Sequence, residues 1–175
     1  MKDKLPATLN ATAMKRTNTL PLFTAEASMM TIPQYGVRLV RENEFKYANK
    51  RISGAEAVFE LLKTIGLHEK ATEEFYSIYL STKNDVLGVE MISRGTLTAS
   101  LVHPREVFKG ALLANAYALI LAHNHPSGNV EPSNADKQVT TILEKAGNIL
   151  DVKILDHVII GSKEAYYSFR DHSLI

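Results

Sequence analysis

The chain contains no cysteine. Disulfides, thiolate metal sites and a cysteine nucleophile are therefore excluded, and any metal must be held by His, Asp or Glu. No run of about 18 apolar residues occurs, so a membrane-spanning helix of ordinary length is not expected. The opening "MKDKLPATLNATAMKR" lacks the apolar core of a secretory signal, which makes the cytoplasm the expected location. Internal repeats and low-complexity stretches are also missing.

What is present is the composition of a packed protein. Hydrophobic residues make up 45% and charged residues 22% of 175 positions, enough for one domain with a sizeable core. The net charge of +1 conceals an asymmetry. Residues 1–51 carry nine Lys and Arg against four Asp and Glu, a net of +5, whereas residues 52–175 carry eleven against fifteen, a net of −4. The chain accordingly divides into a basic, partly irregular N-terminal extension over residues 1–52 and a folded domain over residues 53–175. Such an extension suits weak contact with DNA, and a solvated tail accounts for the same charge.

Hydrophobic spacing places the elements. "YGVRLVREN", residues 35–43, alternates and predicts a strand. "SGAEAVFELLKTIG" predicts a helix with Ser53 and Glu56 as a capping box and Gly66 as its stop. "EEFYSIYLS" and "VLGVEMIS", joined by "KND", read as an antiparallel hairpin, and "TLTASLV" as a third strand. Pro104 opens an amphipathic helix, and "YALILA" is a continuous apolar run suited to a central strand. A helix over "SNADKQVTTILEKAGNILD", a strand over "VKILDHVII" and a short terminal strand follow. The fold class is α/β, a mixed sheet flanked by helices. In such sheets the loop leaving the carboxyl end of a central strand is the usual place for a site.

That loop is "AHNHPSGNVEPSNAD", residues 122–136. His123 and His125 are two apart, so at a strand end both project to one side and can share an ion. Pro126, Gly128 and Pro132 turn the chain sharply, which lets the next helix return Asp136 to the histidines. Two His and one carboxylate with no fourth protein ligand match a catalytic zinc site rather than a structural one. Zinc, one per chain, brings bound water to a pKa of about 7, so the expected chemistry is hydrolysis. Glu73 or Glu74, at the start of the first sheet strand, is a candidate proton carrier. Ser133 is a candidate oxyanion donor.

"HNHPSGNVEPSNAD" resembles the JAMM metalloprotease signature of the JAB/MPN-plus domain, His-x-His-Pro followed by Ser-x-x-Asp. The wider context, from "RGTLTASLVHPREV" through "LDHVIIG" and "YYSF", is similar to the bacterial RadC family over roughly residues 53–175. The resemblance implies an α/β/α sandwich of the cytidine-deaminase-like type, zinc on His123, His125 and Asp136, and Ser133 steadying the tetrahedral intermediate. It points to Glu73 from the RadC branch and to Glu74 from JAMM enzymes more widely; a strand sends the two to opposite faces, so only one reaches the metal. Longer RadC proteins carry a helix-hairpin-helix region associated with DNA. No Gly-rich hairpin of that kind is visible in residues 1–52, so a short form is expected.

Plainer roles exist for several of these residues. Ser133 can serve as a helix N-cap, with Asp136 complementing the dipole. His103 and His157 read as hydrogen-bonded structural residues; Arg94, Gly95 and Arg105 as residues that shape turns or pair with carboxylates; Asn124 and Ser127 as donors bracing the loop. Two functions follow: a zinc metallopeptidase or isopeptidase acting on a protein or peptide, or a DNA-associated accessory protein whose metal site serves stability. A zinc deaminase is disfavoured, since its Pro-Cys-x-x-Cys ligands require cysteine.

Overall fold

The computed structural model describes residues 32–95, 102–162 and 165–175. Residues 32–36 belong to a first unit, have no helix or strand, and are not considered further; the fold below lies within the second unit, residues 37–175. Its elements are α1 (Ala55–Thr64), a 3-10 turn (Leu67–Glu69), β1 (Glu74–Leu80), β2 (Val86–Arg94), α2 (Pro104–Leu113), β3 (Ala118–Asn124), α3 (Asn134–Leu150), β4 (Lys153–Ser162) and β5 (Ala165–Ser168).

The strands form one mixed sheet in the order β2-β1-β3-β4-β5. β3 runs antiparallel to β1 and parallel to β4, with α3 making the crossover between β3 and β4. Every residue of β3 is buried, as its unbroken apolar run requires of a strand covered on both faces. Strand alternation sorts the core into two layers. Ile78, Leu80, Ala118, Ile120 and Ala122 pack against Val58, Leu61 and Leu62 of α1. Phe75, Tyr79, Leu119 and Leu121 pack against Val107 and Phe108 of α2 and Val139 and Leu143 of α3. The result is the expected α/β/α arrangement. Cutting a fully buried side chain such as Leu62 to Ala costs about 2–5 kcal/mol.

The hairpin, the central strand, the last two strands and all three helices fall where hydrophobic spacing predicts them. Residues 35–43 form no strand. Val37, Leu39 and Val40 are 71%, 51% and 73% exposed, so their alternation has no sheet to bury against. At α1 the N-cap is Gly54, without a side-chain cap, and Ser53 lies one residue too early to form the expected box with Glu56. Glu56 remains in the first turn, where its charge complements the helix dipole. Gly66 takes the left-handed conformation, φ 74°, that ends the helix without a Cβ penalty. The strand predicted over residues 96–102 falls almost wholly outside the described residues. Among the described residues, no helix is long and apolar enough to cross a membrane.

Candidate metal centre

The carboxyl end of β3 presents His123 on the face covered by α3, fully buried. His125 follows one residue past the strand, its amide still bonded to the Ile160 carbonyl at 2.9 Å, which holds it in line with β4. Gly128, at φ 83°, then turns the chain back, its amide donating to the His125 carbonyl. α3 begins with Ser133 as N-cap and Asp136 as the third residue of a complete capping box. The Ser133 amide and hydroxyl both donate to Asp136 Oδ2, at 2.7 and 2.6 Å, and the Asp136 amide donates to Ser133 Oγ at 3.2 Å. The plain capping role and a place in the candidate metal cluster are therefore compatible. The cap holds Asp136 by one oxygen and leaves Oδ1 facing His123 Nε2 at 3.3 Å.

His123, His125 and Asp136 each offer a ligand atom, all within 4.8 Å of one another. His123 Nε2 and His125 Nε2 are 3.0 Å apart, and His125 Nε2 is 3.6 Å from Asp136 Oδ2. A tetrahedral ion with bonds of about 2.0 Å has ligand-to-ligand edges of about 3.3 Å; the two histidines meet opposite oxygens of Asp136, Oδ1 and Oδ2, at 3.3 and 3.6 Å. The ring nitrogens are correctly disposed as well. His125 Nδ1 lies 2.6 Å from the Asn129 carbonyl oxygen; a carbonyl only accepts, so Nδ1 carries the proton and Nε2 turns a lone pair to the cluster.

The three groups differ in their electrostatics. Burial first, then the neighbouring His157, holds His123 well below the usual imidazole value, in the uncharged form that ligates. His125 is raised, chiefly by the Asp136 carboxylate beside it, which favours a proton that a metal ion would displace on binding. Burial alone would raise Asp136, but His125, His123 and the Ser133 donors outweigh it and hold the carboxyl well below the ordinary range. One carboxylate and two imidazoles form an N/O donor set suited to zinc and other first-row divalent ions.

A cavity of about 260 Å³ opens beside these residues, lined by Glu73, His125, Ser133 and Asp136 together with Ser127, Asn129 and Glu131. Glu74 is not part of it. One step along the pleat, its side chain is 2% exposed on the other face. There it accepts from Arg94 Nε at 2.8 Å and from the Tyr76 hydroxyl at 2.9 Å. Of the two glutamates that spacing left open, Glu73 lines the cavity with His125, Ser133 and Asp136, and Glu74 does not. A larger cavity of about 560 Å³, lined in part by Tyr47, Glu56 and Arg170, holds none of the predicted residues.

Four further residues singled out in the sequence find partners in the structure. His157, fully buried, places Nε2 at 2.8 Å from His123 Nδ1 and Nδ1 at 2.7 Å from Thr140 Oγ1. Burial pushes it down to about 3. The structural reading of His157 holds, but its partner is a candidate ligand, and only the β3–β4 register, Leu121 opposite His157, reveals that. Asn124, between the two histidines in sequence, points to the other face. Its Oδ1 accepts from the Glu74 amide at 2.7 Å, and its Nδ2 donates to the Lys70 and Thr72 carbonyls at 3.2 and 3.1 Å. It braces the segment that carries Glu73 rather than the histidine loop. Ser127 does brace that loop, accepting from the Asn129 amide. His103 caps α2, accepting from the Arg105 amide at 3.3 Å.

The model of the family described as the RadC-like JAB domain matches residues 52–174. The chain is 53% identical over 127 residues to a UPF0758 protein of Chlorobaculum tepidum, covering 73% of this chain and 56% of that protein. A UPF0758 protein of Chlorobaculum parvum is 50% identical over 130 residues, 74% of this chain and 58% of its own length. One from Symbiobacterium thermophilum is 50% identical over 119 residues, 68% and 50% respectively. The chain thus matches little more than half the length of these relatives.

Proposed function

Because the chain belongs to the RadC-like JAB domain family, we propose that its domain is a zinc-dependent metallohydrolase that cleaves a peptide or isopeptide bond in a protein or peptide substrate. The observation that carries this reading is the shared cavity: a carboxylate outside the candidate ligand set, Glu73, lines the same space as His125, Ser133 and Asp136. Structural stabilisation by a metal would require no such neighbour.

When bound to His123, His125 and Asp136, a zinc ion supplies water acidic enough to attack a carbonyl near neutral pH. Glu73 would serve as the general base and acid of the reaction, taking a proton from the attacking water and passing it to the departing amine nitrogen. Ser133, whose hydroxyl now donates to Asp136 Oδ2, turns that proton to the oxyanion as it develops. Arg94 and Tyr76 keep Glu74 out of the reaction by holding it on the far face. The basic residues within 1–52 add weak contact with DNA.

Elemental analysis of the purified protein beside His125→Ala, both dialysed without chelator, tests the metal. About one zinc per chain in the wild type and little in the variant is expected, followed by zinc-dependent cleavage in a screen of linear and isopeptide-linked peptides. No metal in either protein, and no uptake on adding zinc, overturns the hydrolase reading. DNA binding that weakens steeply with salt would then favour the accessory role, because phosphate contacts release counterions.

A further inference from the structure

We infer that Thr140 and His157 are positioning residues of the metal centre, a relay that keeps the proton of His123 on Nδ1 and its Nε2 open as the ligating lone pair. The inference rests on the metal reading above and adds what sets the ligand's polarity.

Thr140 lies on α3, one turn past Asp136. The Thr140 hydroxyl lies 2.6 Å from the Asp136 carbonyl oxygen. A carbonyl only accepts, so the single hydroxyl proton is spent there. The same oxygen is 2.7 Å from His157 Nδ1, and with no proton left it can only accept; His157 therefore donates from Nδ1. Both His157 and His123 are fully buried, which favours the uncharged ring with one proton each. His157 Nε2 is then a lone pair, and at 2.8 Å from His123 Nδ1 it obliges that nitrogen to donate. His123 has no second proton. Its Nε2 faces His125 Nε2 at 3.0 Å and Asp136 Oδ1 at 3.3 Å as an acceptor.

The cluster is thereby left with two lone pairs 3.0 Å apart, each facing one oxygen of the Asp136 carboxylate, an arrangement whose complement is a cation. One hydroxyl also joins two ligands, since Thr140 bonds the backbone of Asp136 and, through His157, the ring of His123. Without that acceptor, His157 has no partner for a proton on Nδ1. Moving the proton to Nε2 would drive the His123 proton onto Nε2 and block the ligand atom.

Three substitutions in the full chain separate this from packing. Thr140→Val keeps the shape and removes the oxygen; Thr140→Ser keeps the oxygen; His157→Phe keeps a ring against Phe75 and Phe169, which His157 contacts at centroid distances of 5.4 and 4.7 Å. Zinc affinity is read by competition with a chelating dye, and the histidine protons by long-range proton–nitrogen NMR of the metal-free protein. Thr140→Val and His157→Phe are expected to weaken zinc binding by about 10–100-fold, the usual cost of losing an outer partner of a metal-bound histidine. Thr140→Ser is expected to stay close to wild type. Wild-type affinity in a folded Thr140→Val variant overturns the relay. So does a wild-type His123 that carries its proton on Nε2, a result that stands even if a variant fails to fold. A wild type that takes up no zinc, yet shows the Nδ1 proton, overturns the metal reading instead.

Discussion

Glu73 and Glu74 are adjacent residues of one type, and they end in opposite regions of the molecule. Around Glu74 the structure is closed: the carboxylate is buried, both of its oxygens are engaged, and its partners, Arg94 and Tyr76, come from the same hairpin. Around Glu73 it is open to a cavity lined by two of the candidate ligands, His125 and Asp136. Residue type and local sequence do not separate the two; the pleat does, by sending neighbours to opposite faces. A carboxylate saturated by an ion pair and a phenol contributes to holding the hairpin together. One beside a metal-ligand cluster can move protons.

The largest expected effect comes from exchanging the two in parallel. Glu73→Gln should leave zinc content and melting temperature near wild type while lowering kcat/KM for peptide cleavage about 100- to 10,000-fold, the range for a general acid–base residue. Glu74→Gln should do the reverse. Activity stays within a few-fold, and stability falls by about 1 kcal/mol, a small figure because Arg94 is 60% exposed and its pairing is screened. If Glu74→Gln abolished cleavage and Glu73→Gln did not, the assignment by face would be wrong.

The same contrast explains how much was readable from the chain. The fold was largely legible because its strongest signals are local: the apolar run of β3, the helical period of α3, the turn residues between them. That His123, His125 and Asp136 would come together was legible because spacing of two on a strand end and a return through Pro and Gly are both short-range facts. Ser133 and Asp136 could be read twice, as cap and as site, and the structure uses them as a cap whose second oxygen faces His123. What spacing did not supply was register. Which glutamate shares a face with His123 depends on how β1 meets β3, where Phe75 lies opposite His123. That His157 touches His123 depends on the parallel pairing of β3 with β4. The false strand at residues 35–43 has the converse cause, an alternating pattern with no sheet beside it.

A middle-sized effect tests whether the closed region supports the open one. Asn124 binds the carbonyls of Lys70 and Thr72 and the amide of Glu74, flanking Glu73 on both sides. Asn124→Ala strands these groups and should cost about 2–4 kcal/mol, since each buried group left unpaired costs about 1–3 kcal/mol and some regain water. Zinc affinity should change little, because the ligands lie on the other face, whereas cleavage should fall as Glu73 loses its anchor. Denaturant unfolding alongside zinc titration checks both halves. A loss of zinc with no loss of stability would contradict the division of labour between the faces.

The smallest effect belongs to the closed region alone and appears in alkali. Burial, and then the hydroxyl's bond to the Glu74 carboxylate, raise Tyr76 from the ordinary 10.0 to about 12. The folded state therefore keeps a proton that the unfolded state releases first. This contribution is complete below pH 10 and is lost as the pH climbs through about 12. It amounts to on the order of 1 kcal/mol once solvent screening of a half-buried phenol is allowed for. Tyr79, raised by burial and by its bond to Glu90, acts in the same direction. Tyr76→Phe should accordingly flatten only part of the decline in melting temperature above pH 10, and Glu74→Gln should flatten it similarly by removing the charge that opposes ionisation. Neither substitution should alter zinc binding at neutral pH. If Tyr76→Phe left the alkaline slope unchanged, the contact between Tyr76 and Glu74 would not be what closes this side of the sheet.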